Sequence, residues 1–234
     1  MDDITGSISA RGLGLRTRAG WVYRDIDWDV PGGSLAVVTG PAGCGKTALL
    51  LTLAARMRAG QGTLTVAGLD AGRHAGAVRH RVGLGEFRGV NDLDETLGVG
   101  DHVMAELALH GKHWRGAHLG CVLEPLGLEL DTRRKVRDLS APDRLLLGAA
   151  LGAISRPPVV IVDELDEDTT PDETQTVLEA LRRLTRGGTT VIAGALDPAL
   201  AAAADVSLAL GADGAPGNPD ALGIQEEVST HAFV

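Results

Sequence analysis

No apolar run in this 234-residue sequence approaches the roughly 18–20 residues that a helix needs to cross a bilayer, so any work at a membrane is expected to go through a partner. Cysteine is scarce. Cys44 and Cys121 make no disulfide framework, which fits a reducing, cytosolic setting. The first ten residues, MDDITGSISA, are acidic and polar and are not expected to act as a signal peptide. Runs of basic residues are missing as well: 22 basic against 31 acidic side chains leave a net charge of −9, which argues against a nucleic-acid surface. The base-reading N-K-x-D of a GTPase is also lacking. What remains is 44% hydrophobic and 23% charged, the composition of a globular chain long enough for one large α/β domain.

Against this background one stretch stands out. Gly40, Pro41, Ala42, Gly43, Cys44, Gly45, Lys46 and Thr47 fit G-x-x-x-x-G-K-[ST], a phosphate-binding loop. Residues 34–39 (SLAVVT) read as a buried parallel strand before it, and residues 47–57, rich in Leu and Ala and closed by Gly60, as a helix after it. In that setting glycines let backbone N–H groups turn toward phosphates, and the helix N-terminus adds partial positive charge. Lys46 is expected to reach the β- and γ-phosphates, and the Thr47 hydroxyl to bind Mg²⁺.

Upstream, residues 8–15 and 25–30 read as two strands, the second with clean apolar–polar alternation. Downstream come a strand at 63–66, a turn at 68–70, an Arg/His-rich stretch and a short strand at 81–87. Residues 90–138 read as helical, with helices at 101–110 and 119–126 and a mixed charge cluster at 132–138. His110, His113 and His118 have no Cys or carboxylate at ligand spacing and read as a solvated helix end, not a zinc site. Ser140 to Asp143 has the form of a capping box opening a helix to residue 154.

After Pro157-Pro158, four β-branched residues (159–162) lead to Asp163 and Glu164. This pattern reads as a buried strand delivering carboxylates to its C-terminal edge, where ligands bind in parallel α/β sheets. Asp163 is placed to hold Mg²⁺, and Glu164 to orient and polarise an attacking water. Thr170 and Glu173 cap a helix over 171–185, a strand follows at 189–193, an Ala-rich helix starts at Asp197-Pro198, and a last strand covers 206–210. From Gly211 the composition suggests a flexible tail.

The order and spacing of these features resemble the ATP-binding subunit of an ATP-binding-cassette (ABC) transporter over residues 6 to about 212. The resemblance implies an α/β fold: a P-loop NTPase core, that is, a RecA-like parallel sheet with N-terminal antiparallel strands, plus an inserted helical subdomain. One domain would span residues 1–212, with core segments 1–86 and 139–212 and the subdomain at 87–138; residues 213–234 would be a tail. It further implies ATP and Mg²⁺ as ligands, a transmembrane permease as partner, a homo- or heterodimer of nucleotide-binding domains, and a place on the cytoplasmic inner face of the membrane. A chromosome-maintenance ATPase needs a longer insertion than the 92 residues between Lys46 and Leu139, and gene-regulating or ribosome-acting cassettes usually carry two such domains.

The departures are specific. The signature L-S-G-G-Q reads Leu139-Ser140-Ala141-Pro142-Asp143, and Pro142 has no N–H to offer a phosphate. Leu196 falls where the family has its switch histidine, Phe87 (beside Glu86) where it has glutamine, Thr170 where it has the D-loop aspartate, and Thr17 where it has an adenine-stacking aromatic. Trp21, Tyr23, Arg16 or Arg18 could stand in for the last of these. Binding elements therefore persist while γ-phosphate-sensing elements are lost. The expectation is an ATP-binding subunit that hydrolyses slowly through Glu164; the alternative is a nucleotide clamp that dimerises on ATP without turnover.

Overall fold

The structure, a computed structural model, describes residues 5–109, 124–128 and 130–217. The histidines at 110, 113 and 118, Cys121, most of the helix expected at 119–126, and residues 218–234 of the expected tail lie outside them.

Two sheets form the frame. β1 (Ile8–Thr17), β2 (Gly20–Val30), β4 (Gln61–Val66) and β5 (Leu69–Asp70) make an antiparallel sheet in the order β2-β1-β4-β5. β3 (Leu35–Thr39), β6 (Val82–Leu84), β7 (Val159–Val162), β8 (Thr190–Ala195) and β9 (Val206–Ala209) make a parallel sheet in the order β6-β7-β8-β3-β9. The sequence patterns explain the difference. β2 is buried at every second residue over its C-terminal half, so one face is wet. Every residue of β3, β7 and β8 is buried, as in a sheet covered on both faces.

Strand alternation divides the core into two layers. Leu35 and Val37 of β3, with Val160 and Val162 of β7, join α3 (Val99–Leu109), α4 (Ala141–Ala153) and α5 (Pro171–Arg186) on one side. Ala36 and Val38, with Val159 and Ile161, join α1 (Lys46–Leu53) and the antiparallel sheet on the other. The phosphate loop is thus held between β3 and α1, with Asp163 at the end of β7 two strands away.

Several boundaries differ from the sequence expectation. α1 stops at Leu53 instead of reaching Met57: Ala55 takes a left-handed conformation (φ 53°), its N–H and that of Arg56 bond back to Thr52 and Leu51, and the resulting Schellman turn ends the helix before Gly60. Residues 69–70 pair with Thr65 and Val66 as a short strand, not only a turn. The Arg/His-rich stretch contains α2 (Ala75–Arg81). Among the described residues of 87–138 only α3 is an α-helix; Glu124–Leu126 and Val136–Asp138 are single 3₁₀ turns. Residues 211–217, read as the start of a tail, form a turn stitched to β2 by Arg24 N–H on the Gly214 carbonyl and by an Arg24–Asp213 ion pair of 2.6 Å.

Candidate nucleotide site

The loop after β3 is shaped by close approach. Gly45 precedes α1 in a left-handed conformation (φ 97°), and a Cβ there would lie 2.3 Å from the Val22 carbonyl oxygen of β2. Gly40 faces the same constraint against the Leu210 carbonyl and the buried Cys44 thiol. Pro41, Ala42 and Gly43 form an exposed crest. Lys46 is buried beneath it, and its Nζ donates to the carbonyls of Gly40 (2.7 Å) and Pro41 (3.0 Å). A positive charge is thereby seated under the amides at the helix start, an arrangement that attracts anions.

Thr47 connects this loop to the acid strand. Its hydroxyl donates to Asp163 Oδ2 at 2.6 Å across 116 residues of sequence. Asp163 is 6% exposed and also accepts the Glu164 N–H at 2.9 Å. Burial pushes its carboxyl above the ordinary range, opposed by the Thr47 bond, the Glu164 amide and the Lys46 charge. Gly194 of β8 makes room for it, since a Cβ there would come 2.2 Å from Asp163 Oδ1. A hydroxyl and a carboxylate side by side are the hard oxygen donors that suit Mg²⁺.

Glu164 lies beside them on strained backbone (φ 56°). Desolvation and the neighbouring Glu167 raise its carboxyl to about 7, with Arg88 opposing the rise. Arg88, Asp163, Glu164, Glu86, Ala141 and Arg144 all line one cleft of about 60 Å³.

The structure shows what occupies the divergent positions. Phe87 is buried, and Glu86 is clamped by Arg144 of α4 at 2.6 and 2.7 Å. Ser140 caps α4 by accepting the Asp143 N–H, with Pro142 in the first turn, and the Asp143 carboxylate sits 3.6 Å from Arg134. Thr170 and Glu173 form the capping box of α5. Leu196 is 43% exposed; its N–H and that of Asp197 bind the Asp166 carboxylate at 2.6–3.0 Å. Tyr23 is withdrawn from the list of base platforms: it is fully buried and its hydroxyl bonds Thr52 at 2.7 Å. Trp21 is exposed with the Arg16 guanidinium 5.4 Å over its ring, one residue from the Val22 carbonyl that abuts Gly45. Sequence reading passed over Arg88, Asp166 and Gly194, none of which belongs to a local motif; the only signal was the acid-rich run after Glu164.

Comparison with known proteins agrees with this geometry. The family model described as ABC transporter matches residues 23–167. The daunorubicin resistance ATP-binding protein DrrA3 of Streptomyces coeruleorubidus is 35% identical over 170 residues, 71% of this chain and 53% of that protein. The taurine import ATP-binding protein TauB of Pseudomonas aeruginosa is 31% identical over 195 residues, 79% of this chain and 70% of that one. The chain thus spans about half the length of the first of these relatives. Among solved structures, the ATP-binding cassette MJ0796 in a dimeric state bound to ADP and Pi superposes with a TM-score of 0.74 over 90% of this chain and 97% of that one; at 18% identity this likeness is one of fold.

Proposed function

This chain belongs to the ABC transporter family, in the branch of ATP-binding subunits, and on that premise we propose that it binds Mg-ATP at residues 40–47 and hydrolyses it slowly to drive a membrane partner. The observation that carries this reading is the 2.6 Å bond from Thr47 to Asp163, which joins the phosphate loop to the acid strand. Lys46 supplies positive charge to the phosphates. Thr47 and Asp163 would hold Mg²⁺, which when bound neutralises phosphate charge. Glu164 accepts a proton from the attacking water; a carboxyl near 7 is suited to that exchange at neutral pH. Slow turnover follows from Leu196 and Phe87, which offer the reacting phosphate no side-chain donor, each such loss typically costing about 10²–10³ in rate.

No helix among the described residues is long and apolar enough to cross a membrane. A permease partner, a cytoplasmic position on the inner face of the membrane and a dimer of nucleotide-binding domains complete the reading, with no role for nucleic acid. Pro142, Asp143 and Leu196 together favour a second reading, a clamp that binds ATP without turnover. Mg-ATP turnover by the purified protein, beside Lys46→Ala and Glu164→Gln, decides between them. The first reading expects slow hydrolysis lost in both variants. The second expects none in any, with ATP binding lost only in Lys46→Ala.

A further inference from the structure

Residues 163–168 place five carboxylates in six positions: Asp163, Glu164, Asp166, Glu167 and Asp168. Like charges so close would drive the loop apart unless each is tied down. Asp163 is held by Thr47 and by the Glu164 amide, and Asp166 by the two N–H groups after β8. The other three converge on one side chain. Arg88 brings Nε to 3.1 Å from Glu164, Nη1 to 2.8 Å from Glu167 and Nη2 to 3.3 Å from Asp168. Among the described residues it is the one cation within ion-pair distance of Glu164. Both Glu164 and Asp168 have left-handed backbones (φ 56° each), a strained loop shape that its surroundings must hold, and the Glu164 carboxylate is itself held by Arg88 Nε. That shape depends on the guanidinium spanning three acids, which a rigid fork of donors can do and a point charge cannot.

Resting on the ATPase reading above, we propose that Arg88 is the positioning residue for Glu164: it holds the loop 163–168 closed and fixes the carboxylate that receives the proton of the attacking water. It stands one residue beyond the position where this chain has Phe87, and so brings a side chain from the segment after β6 to the catalytic acid. The phosphate-binding groups Lys46, Thr47 and Asp163 make no bond to it.

The test is steady-state Mg-ATP turnover, with ATP affinity measured separately by equilibrium titration, for the wild type, Arg88→Ala, Arg88→Lys, Glu164→Asp and Arg88→Ala/Glu164→Asp. Arg88 is 57% exposed, so the variants should fold, and circular dichroism checks this. The expected result is a kcat lower by about 10–100-fold in Arg88→Ala with KM and ATP affinity within about twofold, and an intermediate kcat in Arg88→Lys. On the Glu164→Asp background, removing Arg88 should change little, because the two residues act as one unit. A kcat in Arg88→Ala equal to or above wild type, or an equal loss on both backgrounds, overturns the proposal and leaves the ATPase reading intact. A wild type that binds ATP but turns none over overturns the ATPase reading and this proposal with it.

Discussion

Arg144 is the strongest single test of how the structure ties its helical layer to the nucleotide cleft. Its guanidinium forks onto Glu86 (2.6 and 2.7 Å), and Nη1 reaches Glu95 at 2.9 Å. The Glu86 side chain is only 10% exposed, Arg144 is 29% exposed, and among the described residues the Leu93 N–H (3.0 Å) is the one other donor on that carboxylate. Arg144→Met keeps most of the apolar stem and removes the charge. Stranding a buried charge costs about 3–5 kcal/mol. Partial exposure and the surviving Leu93 bond reduce that, and the Glu95 pair, 61% exposed on its acidic side, adds less than about 1 kcal/mol. The expected loss is about 2–3 kcal/mol. Glu86→Leu combined with Arg144→Met should recover part of it, since the buried Glu86 charge is then removed with its partner, while the exposed Glu95 and the Leu93 N–H still lose theirs. Urea denaturation followed by circular dichroism measures this as a shift in midpoint at unchanged slope. A loss below about 0.5 kcal/mol in Arg144→Met, or a double variant no better than the single, would refute the reasoning.

Other outcomes are equally checkable. Gly45→Ala forces a side chain into left-handed backbone 2.3 Å from the Val22 carbonyl; it should cost about 2 kcal/mol or more in a urea titration and weaken ATP binding at least about tenfold. Tyr23→Phe removes a buried hydroxyl bonded to Thr52 and should cost about 1 kcal/mol, read from thermal unfolding, with ATP affinity unchanged because Tyr23 is no base platform. Asp205 accepts the Leu35 N–H and pairs with Arg182, and these hold its folded pKa below the ordinary 3.8. Its contribution to stability is therefore full above 3.8 and is lost as pH falls toward the lower folded value. Asp205→Asn should flatten the acid limb of a stability-versus-pH curve, and an unchanged limb would count against the assignment.

Much of this protein was legible in local sequence because the relevant physics is local. Phosphate-loop glycines, the all-apolar strand ending in Asp163 and Glu164, and the Thr170–Glu173 capping box each depend on residues within a few positions of one another. Alternation in β2 and its absence in β7 announced a half-wet sheet and a covered one. Even so, the end of α1 was misplaced: a Schellman turn closes on a left-handed Ala55, a non-glycine residue whose carbonyl accepts from Arg79 24 residues away, and a glycine five residues later drew the boundary to itself.

The arrangement around Glu164 was decided only in three dimensions. Arg88 reaches Glu167 across 79 residues, Arg144 reaches Glu86 across 58, and Asp166 meets the Leu196 amide across 30. None of these pairs has a spacing rule, because none lies within one helix or hairpin. Arg88, Glu167 and the Leu196 amide meet because β6, β7 and β8 are neighbours in one parallel sheet, which carries the segments that follow each strand to the same edge, and Arg144 reaches Glu86 because α4 packs across β6 and β7. Trp21 and Tyr23, two residues apart on β2, make the same point. Both are aromatic and both were candidates from sequence, and a regular pleat would put them on one face; the register shift between Leu15 and Arg16, where β1 advances one residue against two of β2, breaks that alternation, so Tyr23 enters the core onto Thr52 while Trp21 stays on the surface under Arg16. Local chemistry thus determined the phosphate-loop pattern and the carboxylates at the end of β7. Strand order and side-chain facing determined which charges stand beside the Glu164 carboxylate, since electrostatic pairing depends on distance in space and not along the chain.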